Sequence, residues 1–94
     1  MKEPRIEIEY CTQCNWLFRA TWMAQELLTT FVSEIGELVL IPSKGGILDI
    51  RVNEEIVFSR KEMERFPEMK ELKQLIRDRI APDKNLGHSD KKVT

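Results

Sequence analysis

From residue 5 the chain alternates. Arg5, Glu7 and Glu9 are charged, and Ile6, Ile8 and Tyr10 between them are apolar. A period of two predicts a strand over 5–10 with one buried and one charged face, exposed on one side or near a sheet edge. The period then changes. Leu17, Ala20, Leu27, Leu28, Phe31 and Ile35 all fall within about 60° of Ala24 on a helical projection, which predicts a helix over 15–34 with that stripe in the core. Trp16 and Met23 flank the stripe, and Trp16 is expected in the core. Gly36 suits a left-handed C-terminal cap. Phe18 and Trp22 lie roughly 120–160° from the stripe. They either pack under another part of the fold or form an exposed patch for a partner.

Leu38-Val39-Leu40-Ile41 is continuously apolar within a strand predicted over 37–42, which suits a strand covered on both faces. Pro42 ends it, and Ser43-Lys44-Gly45-Gly46 is a turn in which the glycines permit positive φ. Strands follow over 47–52 and 56–59, and the polar link Asn53-Glu54-Glu55 makes them a hairpin. Asp49 and Arg51 share one face of the third strand, opposite Leu48, Ile50 and Val52. Ser59 and Glu62 have capping-box spacing, so a helical turn is expected to begin there. Pro67 fits the first position of a last helix with the stripe Met69, Leu72, Leu75, Ile76 and Ile80, stopped by Pro82.

The order β-α-β-β-β-α implies an α/β (α+β) fold. A four-stranded mixed sheet carries two helices, and its opening strand-helix-strand is a parallel unit with a right-handed crossover. This is a reduced thioredoxin-like arrangement. One domain spans 1–81, and 82–94, poor in apolar residues, is expected to be a disordered tail.

Composition narrows the function. The chain has 94 residues, enough for a single small domain, with 41% apolar and 33% charged residues. Its net charge of −1 gives no global basic field, so no nucleic-acid partner is expected. Arg60, Lys61 and Arg65 are interleaved with Glu62 and Glu64 and read as a solvated face. No apolar run reaches the length of a membrane span. Met1-Lys2-Glu3-Pro4 leads straight into a strand pattern without a signal-peptide core, so the expected compartment is the cytoplasm.

The candidate chemistry lies in Cys11-Thr12-Gln13-Cys14, at the strand-to-helix junction. Structural disulfides are rare in the cytosol, and a loop this short makes a poor staple. Both points favour a redox-active pair. The attacking species in disulfide exchange is the thiolate, which a helix N-terminus favours through its partial positive charge and unpaired N–H groups. The spacing lets the second thiol close a disulfide after the first has attacked. In a thioredoxin-type mechanism the first cysteine, Cys11, is the more exposed and attacks, and Cys14 resolves. Cys14 is closer to the helix and is the competing candidate.

Thr12 and Gln13 at the tip of the motif, with Phe18 and Trp22, are candidate partner-facing residues. The bland alternative is two cysteines simply buried at the start of a helix. A zinc site needs about four ligands, and one such motif supplies two. The single histidine, His88, falls in the expected tail, so no metal is expected within one chain, a metal shared across a dimer being the alternative; no bound cofactor is expected.

The run Glu9-Tyr10-Cys11-Thr12-Gln13-Cys14-Asn15-Trp16, followed by Arg19-Ala20 and Trp22-Met23-Ala24-Gln25-Glu26-Leu27, resembles the bacterial branch of the selenoprotein W-like (Rdx; SelT/SelW/SelH) proteins. The Gly45-Gly46 turn before a strand, and Val57-Phe58-Ser59 leading to Arg65-Phe66-Pro67, fit the same pattern. The resemblance covers roughly residues 4–81. It implies a thioredoxin-like fold and a thiol-based redox role, with glutathione or thioredoxin-type proteins as partners. Selenocysteine-containing members of that family carry selenium, their most reactive atom, at the position of Cys14. Cysteine at this position implies weaker peroxidase-like reactivity than a selenol would give. A redox-regulated binding module without turnover is the alternative reading.

Overall fold

The alternation of residues 5–10 becomes β1, Arg5–Cys11, in which Ile6, Ile8 and Tyr10 are buried. The structure, a computed structural model, describes residues 2–90. After β1 come α1 (Leu17–Thr30), β2 (Glu37–Ser43), β3 (Leu48–Val52), β4 (Glu55–Ser59), α2 (Arg60–Met63) and α3 (Met69–Ile80), then a short 3-10 turn over Gly87–Asp90. The strands form one sheet in the order β2-β1-β3-β4. β1 runs parallel to β2, with Ile8 beside Leu40, and antiparallel to β3, with Ile8 beside Ile50. β3 and β4 pair antiparallel with an irregularity at Ile50/Arg51.

One face of the sheet is apolar and carries the long helices. Ile6, Ile8 and Tyr10 of β1 and Leu48, Ile50 and Val52 of β3 cluster with Phe58, with Ala20, Met23, Ala24 and Leu27 of α1, and with Leu72 and Ile76 of α3. This βαβ opening, mixed sheet and helical layer make a thioredoxin-like fold.

The other face is charged, and its charges answer one another across the strands. Glu7 accepts from Arg51 Nε at 2.9 Å and from Arg5 at 3.2 Å, and Arg51 also reaches Glu9 at 3.0 Å. Arg5 pairs further with Glu37 of β2. Opposite charges placed directly across a ladder stabilise it. The Arg51 guanidinium hydrogen-bonded to Glu7 holds that carboxyl below its ordinary value. Because the folded value is the lower one, this stabilisation is complete above the unfolded carboxyl value and is lost as pH falls through the folded one. Glu7→Gln is therefore expected to lower stability at neutral pH by about 1–2 kcal/mol and to flatten its decline below about pH 5. Urea unfolding across that range checks it, and an unchanged acid slope would contradict it. Glu37, Glu71 and Asp90 are held low as well, so some slope remains.

Several sequence expectations are corrected. α1 stops at Thr30, short of residue 34, and Leu17 and Leu28 of its expected core stripe are 51% and 44% exposed. The core-facing side is set instead by Ala20, Met23, Ala24, Leu27 and Phe31. Gly36 is not the helix cap. A Cβ there would sit 2.7 Å from the Glu3 carbonyl oxygen, so its glycine serves a close backbone approach. β2 is an edge strand and half-exposed, not covered on both faces, whereas β1, of the two settings expected for it, takes the one-sided one: it is central in the sheet, with one face buried and the charged face part-open.

The hairpin after β3 turns through Asn53 and Glu54, both at positive φ, and Asn53 exchanges two 2.8 Å hydrogen bonds with Arg5. Ser59 caps α2 as its spacing predicts, accepting from the Glu62 N–H. Pro67 lies before the cap of α3, not at its first position; Glu68 is the cap and forms a capping box with Glu71. In the expected tail, Arg77 donates to the Lys84 carbonyl at 2.7 Å and Lys84 reaches Glu34 at 3.1 Å, so the stretch beyond α3 folds back beside the helices. The tail's last four residues lie outside the described residues, as does the side chain of His88.

Candidate functional site

Cys11 is the last residue of β1, and Cys14 follows in a turn over residues 12–15. The turn closes by a hydrogen bond from the Asn15 N–H to the Thr12 carbonyl at 3.3 Å, with Asn15 at φ 60°. Asparagine tolerates this left-handed conformation better than most residues. Trp16 occupies the cap position and α1 begins at Leu17, so neither sulfur lies in the first helical turn. The expectation that the helix terminus activates the thiols is therefore corrected.

Turn amides surround the sulfurs instead. The N–H of Gly46, from the turn between β2 and β3, serves both Cys11 and Cys14, and the N–H groups of Gln13 and Cys14 serve Cys11. Gly46 reaches this position with φ +70°. Successive amides of this kind form a small anion-stabilising concavity.

The two thiols are unequal. Cys11 is 1% exposed and Cys14 is half-buried, the reverse of the exposure order expected from a thioredoxin-type pair. The Cys14 thiol hydrogen-bonds to the Cys11 sulfur, and that bond, with the three backbone amides, holds Cys11 below the ordinary thiol value against the opposing effect of burial. Cys14 is pushed up, first because its proton is engaged by Cys11, then by burial and by the charge Cys11 carries when ionised. The Gly46 N–H and the positive charge of Arg60 act on Cys14 in the opposite direction.

The other candidates separate. Thr12 is exposed but tied down: its N–H and its hydroxyl both donate to the Ser43 carbonyl, at 2.9 and 3.0 Å. Gln13 is exposed at the tip. Phe18 and Trp22, 82% and 46% exposed, stand on the outer side of α1 and take no part in the core. A concavity beside α1, about 750 Å3, runs between Thr21, Gln25, Leu28 and Val32 and Leu40 of β2, and none of its lining residues belongs to the cysteine turn. Among the described residues no three His, Cys, Asp or Glu side chains gather as a metal site.

Two residues of the site went unread in the sequence. Gly46 was legible as a turn glycine, but its service to the sulfurs depends on which turn the sheet brings beside β1. Arg60, expected on a solvated face, is half-buried over the Trp16 ring at 5.0 Å. Ser59 and Glu62 fix where α2 starts, but no spacing reveals what the residue after the cap faces. Trp16, as expected, packs on the core, edge-on to Phe66 with ring centres 5.0 Å apart.

The same architecture is found in solved structures of bacterial proteins. A crystal structure of a Bordetella parapertussis protein is 52% identical, with a TM-score of 0.78, and the match covers 80% of this chain and 95% of that one. A selenoprotein W-related protein from Vibrio cholerae is 49% identical, with a TM-score of 0.77, over 79% of this chain and 92% of that one. No curated protein matches. The Rdx family pattern matches residues 5–78, from the first residue of β1 through most of α3 and across both cysteines. With that span matched and two solved structures at about half identity, the chain belongs to the Rdx family, a generally redox-associated group that includes selenoprotein W-related proteins.

Proposed function

We propose that this protein is a thiol–disulfide redox protein that cycles Cys11 and Cys14 between dithiol and disulfide, in a reducing, cytoplasmic setting. Glutathione or a thioredoxin-type protein is the partner. The observation that carries this reading is the hydrogen-bonded cysteine pair, one thiol buried and the other partly open, among backbone amides.

The roles follow from access. A sulfur that is 1% exposed does not meet an outside disulfide without local opening, so Cys14 attacks and Cys11 resolves. Cys11, whose anion the backbone amides favour, acts as the base: in its thiolate form it takes the Cys14 proton as Cys14 attacks. The substrate S–S bond breaks, a mixed disulfide forms on Cys14, and one thiolate leaves. That leaving thiolate, or water, takes the proton from Cys11. Cys11 then attacks the Cys14 sulfur, forming the internal disulfide and releasing the second thiolate. The substrate disulfide is reduced by two electrons and the protein dithiol is oxidised by two.

The decisive experiment equilibrates the protein in glutathione buffers and counts free thiols by mass. The expected result is a reversible intramolecular couple between about −180 and −300 mV, within the range of working dithiol proteins. Thiols that never pair would overturn the cycle.

A redox-regulated binding module is the second reading. It is favoured by the exposed Phe18 and Trp22 on the helix that follows the cysteine turn. In that case disulfide formation changes partner affinity, and no turnover of a disulfide substrate occurs.

A further inference from the structure

The arginines of this chain divide into two groups. Arg5, Arg51, Arg65, Arg77 and Arg79 each pair with a carboxylate. Among the described residues, Arg19 and Arg60 do not. They share an aromatic platform instead. Arg19 lies 3.7 Å over the Phe66 ring, and Arg60 lies 5.0 Å over Trp16 and 5.3 Å from the centre of Phe66. The Nε of each is buried without a hydrogen-bond partner. Removing a guanidinium donor from water without giving it an acceptor is costly. The aromatic faces offset part of this, but they accept no hydrogen bond.

Arg60 is also the cation beside Cys14, two residues from Trp16 along the chain. A third positive group stands close by. The Lys61 ammonium comes within 3.7 Å of where a Cβ on Gly45 would sit, above the turn whose Gly46 N–H serves both sulfurs. Two cations that pair with no carboxylate among the described residues, Arg60 and Lys61, thus stand beside Cys14 and beside the Gly45-Gly46 turn that serves the sulfurs.

We infer that Arg60, held on the Trp16–Phe66 pair, is a specificity-determining residue that receives a carboxylate carried near the sulfur of a small disulfide or thiol substrate. This rests on the disulfide-exchange reading above. The planar guanidinium suits a carboxylate, which accepts two parallel N–H bonds, and the platform holds it in place before the substrate arrives. Lys61 adds charge at longer range. As the mixed disulfide forms on Cys14, the substrate's carboxylate meets the terminal N–H groups of the half-buried guanidinium, the Nε being enclosed, and supplies the ion partner that the protein does not.

The test uses the full chain and three small disulfides of similar size: dithiodipropionate, which is anionic; hydroxyethyl disulfide, which is neutral; and cystamine, which is cationic. The readout is the rate of mixed-disulfide formation on Cys14 of the Cys11→Ser protein, followed by mass. The expected order is anionic, neutral, cationic, with the anionic disulfide roughly tenfold faster than the neutral one at low salt, and the difference shrinking in high salt. In Arg60→Gln the anionic-to-neutral ratio is expected to fall to about one, and Arg60→Lys to recover part of it.

Taking a ratio within one protein cancels any change in the acidity of Cys14. Equal rates for the three disulfides in the wild-type background, or an anionic preference that survives Arg60→Gln, overturn the inference. If Arg60→Gln does not fold, the wild-type order together with Arg60→Lys decides. If none of the disulfides reacts with Cys14, the exchange reading itself fails, which is a distinct outcome.

Discussion

Cys14→Ser is expected to react with an external disulfide on the order of a hundredfold more slowly than Cys11→Ser, and to accumulate no mixed disulfide. The difference follows from burial. With Cys14 gone, the remaining sulfur is the last residue of β1 and is 1% exposed, so every encounter needs a local opening. With Cys11 gone, the remaining sulfur sits in the turn, half-exposed, with no buried thiol to resolve the adduct. Cys11→Ser should therefore trap one partner molecule per chain as a stable mixed disulfide.

A second effect separates this from a simple loss of access. Cys14 is pushed up mainly by its bond to Cys11, and that cause disappears in Cys11→Ser. Arg60 and the Gly46 N–H still favour its anion, so its rate should rise at lower pH than in the intact pair. Stopped reaction mixtures analysed by mass across a pH series measure both effects. Trapping at Cys11 in Cys14→Ser, with none at Cys14 in Cys11→Ser, would reverse the two roles.

Phe31→Ala is expected to cost about 3–5 kcal/mol, a large share of the roughly 5–15 kcal/mol that stabilises a domain of this kind. Phe31 follows the last residue of α1 and is fully buried within the main core. Its backbone is also busy: its N–H donates to Leu27 at 2.9 Å, and its carbonyl accepts from Glu34 and Ile35 at 3.0 Å each. Alanine keeps these bonds, so the loss measures the ring and the cavity it leaves. Val32→Ala, one residue on and 76% exposed, is expected to change stability by less than about 0.5 kcal/mol. Urea unfolding of the two variants checks the contrast, and a cost below about 1 kcal/mol at Phe31 would mean that the core repacks around the gap.

Phe31 was legible from the sequence because it repeats at helical spacing, and the same is true of Ala20 and Leu27. Leu17 and Leu28 satisfied the same spacing and are exposed, because the helix faces a sheet only four strands wide whose edge strand lies beneath it. Periodicity shows which side of a helix is apolar, but not how far the opposing layer extends. The continuous run Leu38-Val39-Leu40-Ile41 misled for a related reason. It reads as a strand covered on both faces, yet it forms the sheet edge, with Leu40 lining the concavity beside α1.

The cysteine site divides along the same line. The residue types, their spacing and their place at the end of a strand are all written in one short stretch. The exposure order is not, because it depends on how the turn of residues 12–15 sits against the Gly45-Gly46 turn, more than thirty residues away in the chain. Arg60 escapes for the same reason. The residues that follow it, 61–65, are exposed, while its neighbours in space are Trp16 and Phe66.

The central place of β1 bears on how the protein is made. The strand that ends in Cys11 is synthesised first, but its partners on either side, β2 and β3, lie at residues 37–43 and 48–52. As the chain emerges from a ribosome at about 5–20 residues per second, both thiols travel ahead of everything that later surrounds them. Gly46 must be made before either sulfur has its shared amide. β3 must be in place before β1 is enclosed. For those few seconds the pair is an ordinary, accessible dithiol, and its inequality is acquired only when the second half of the sheet arrives.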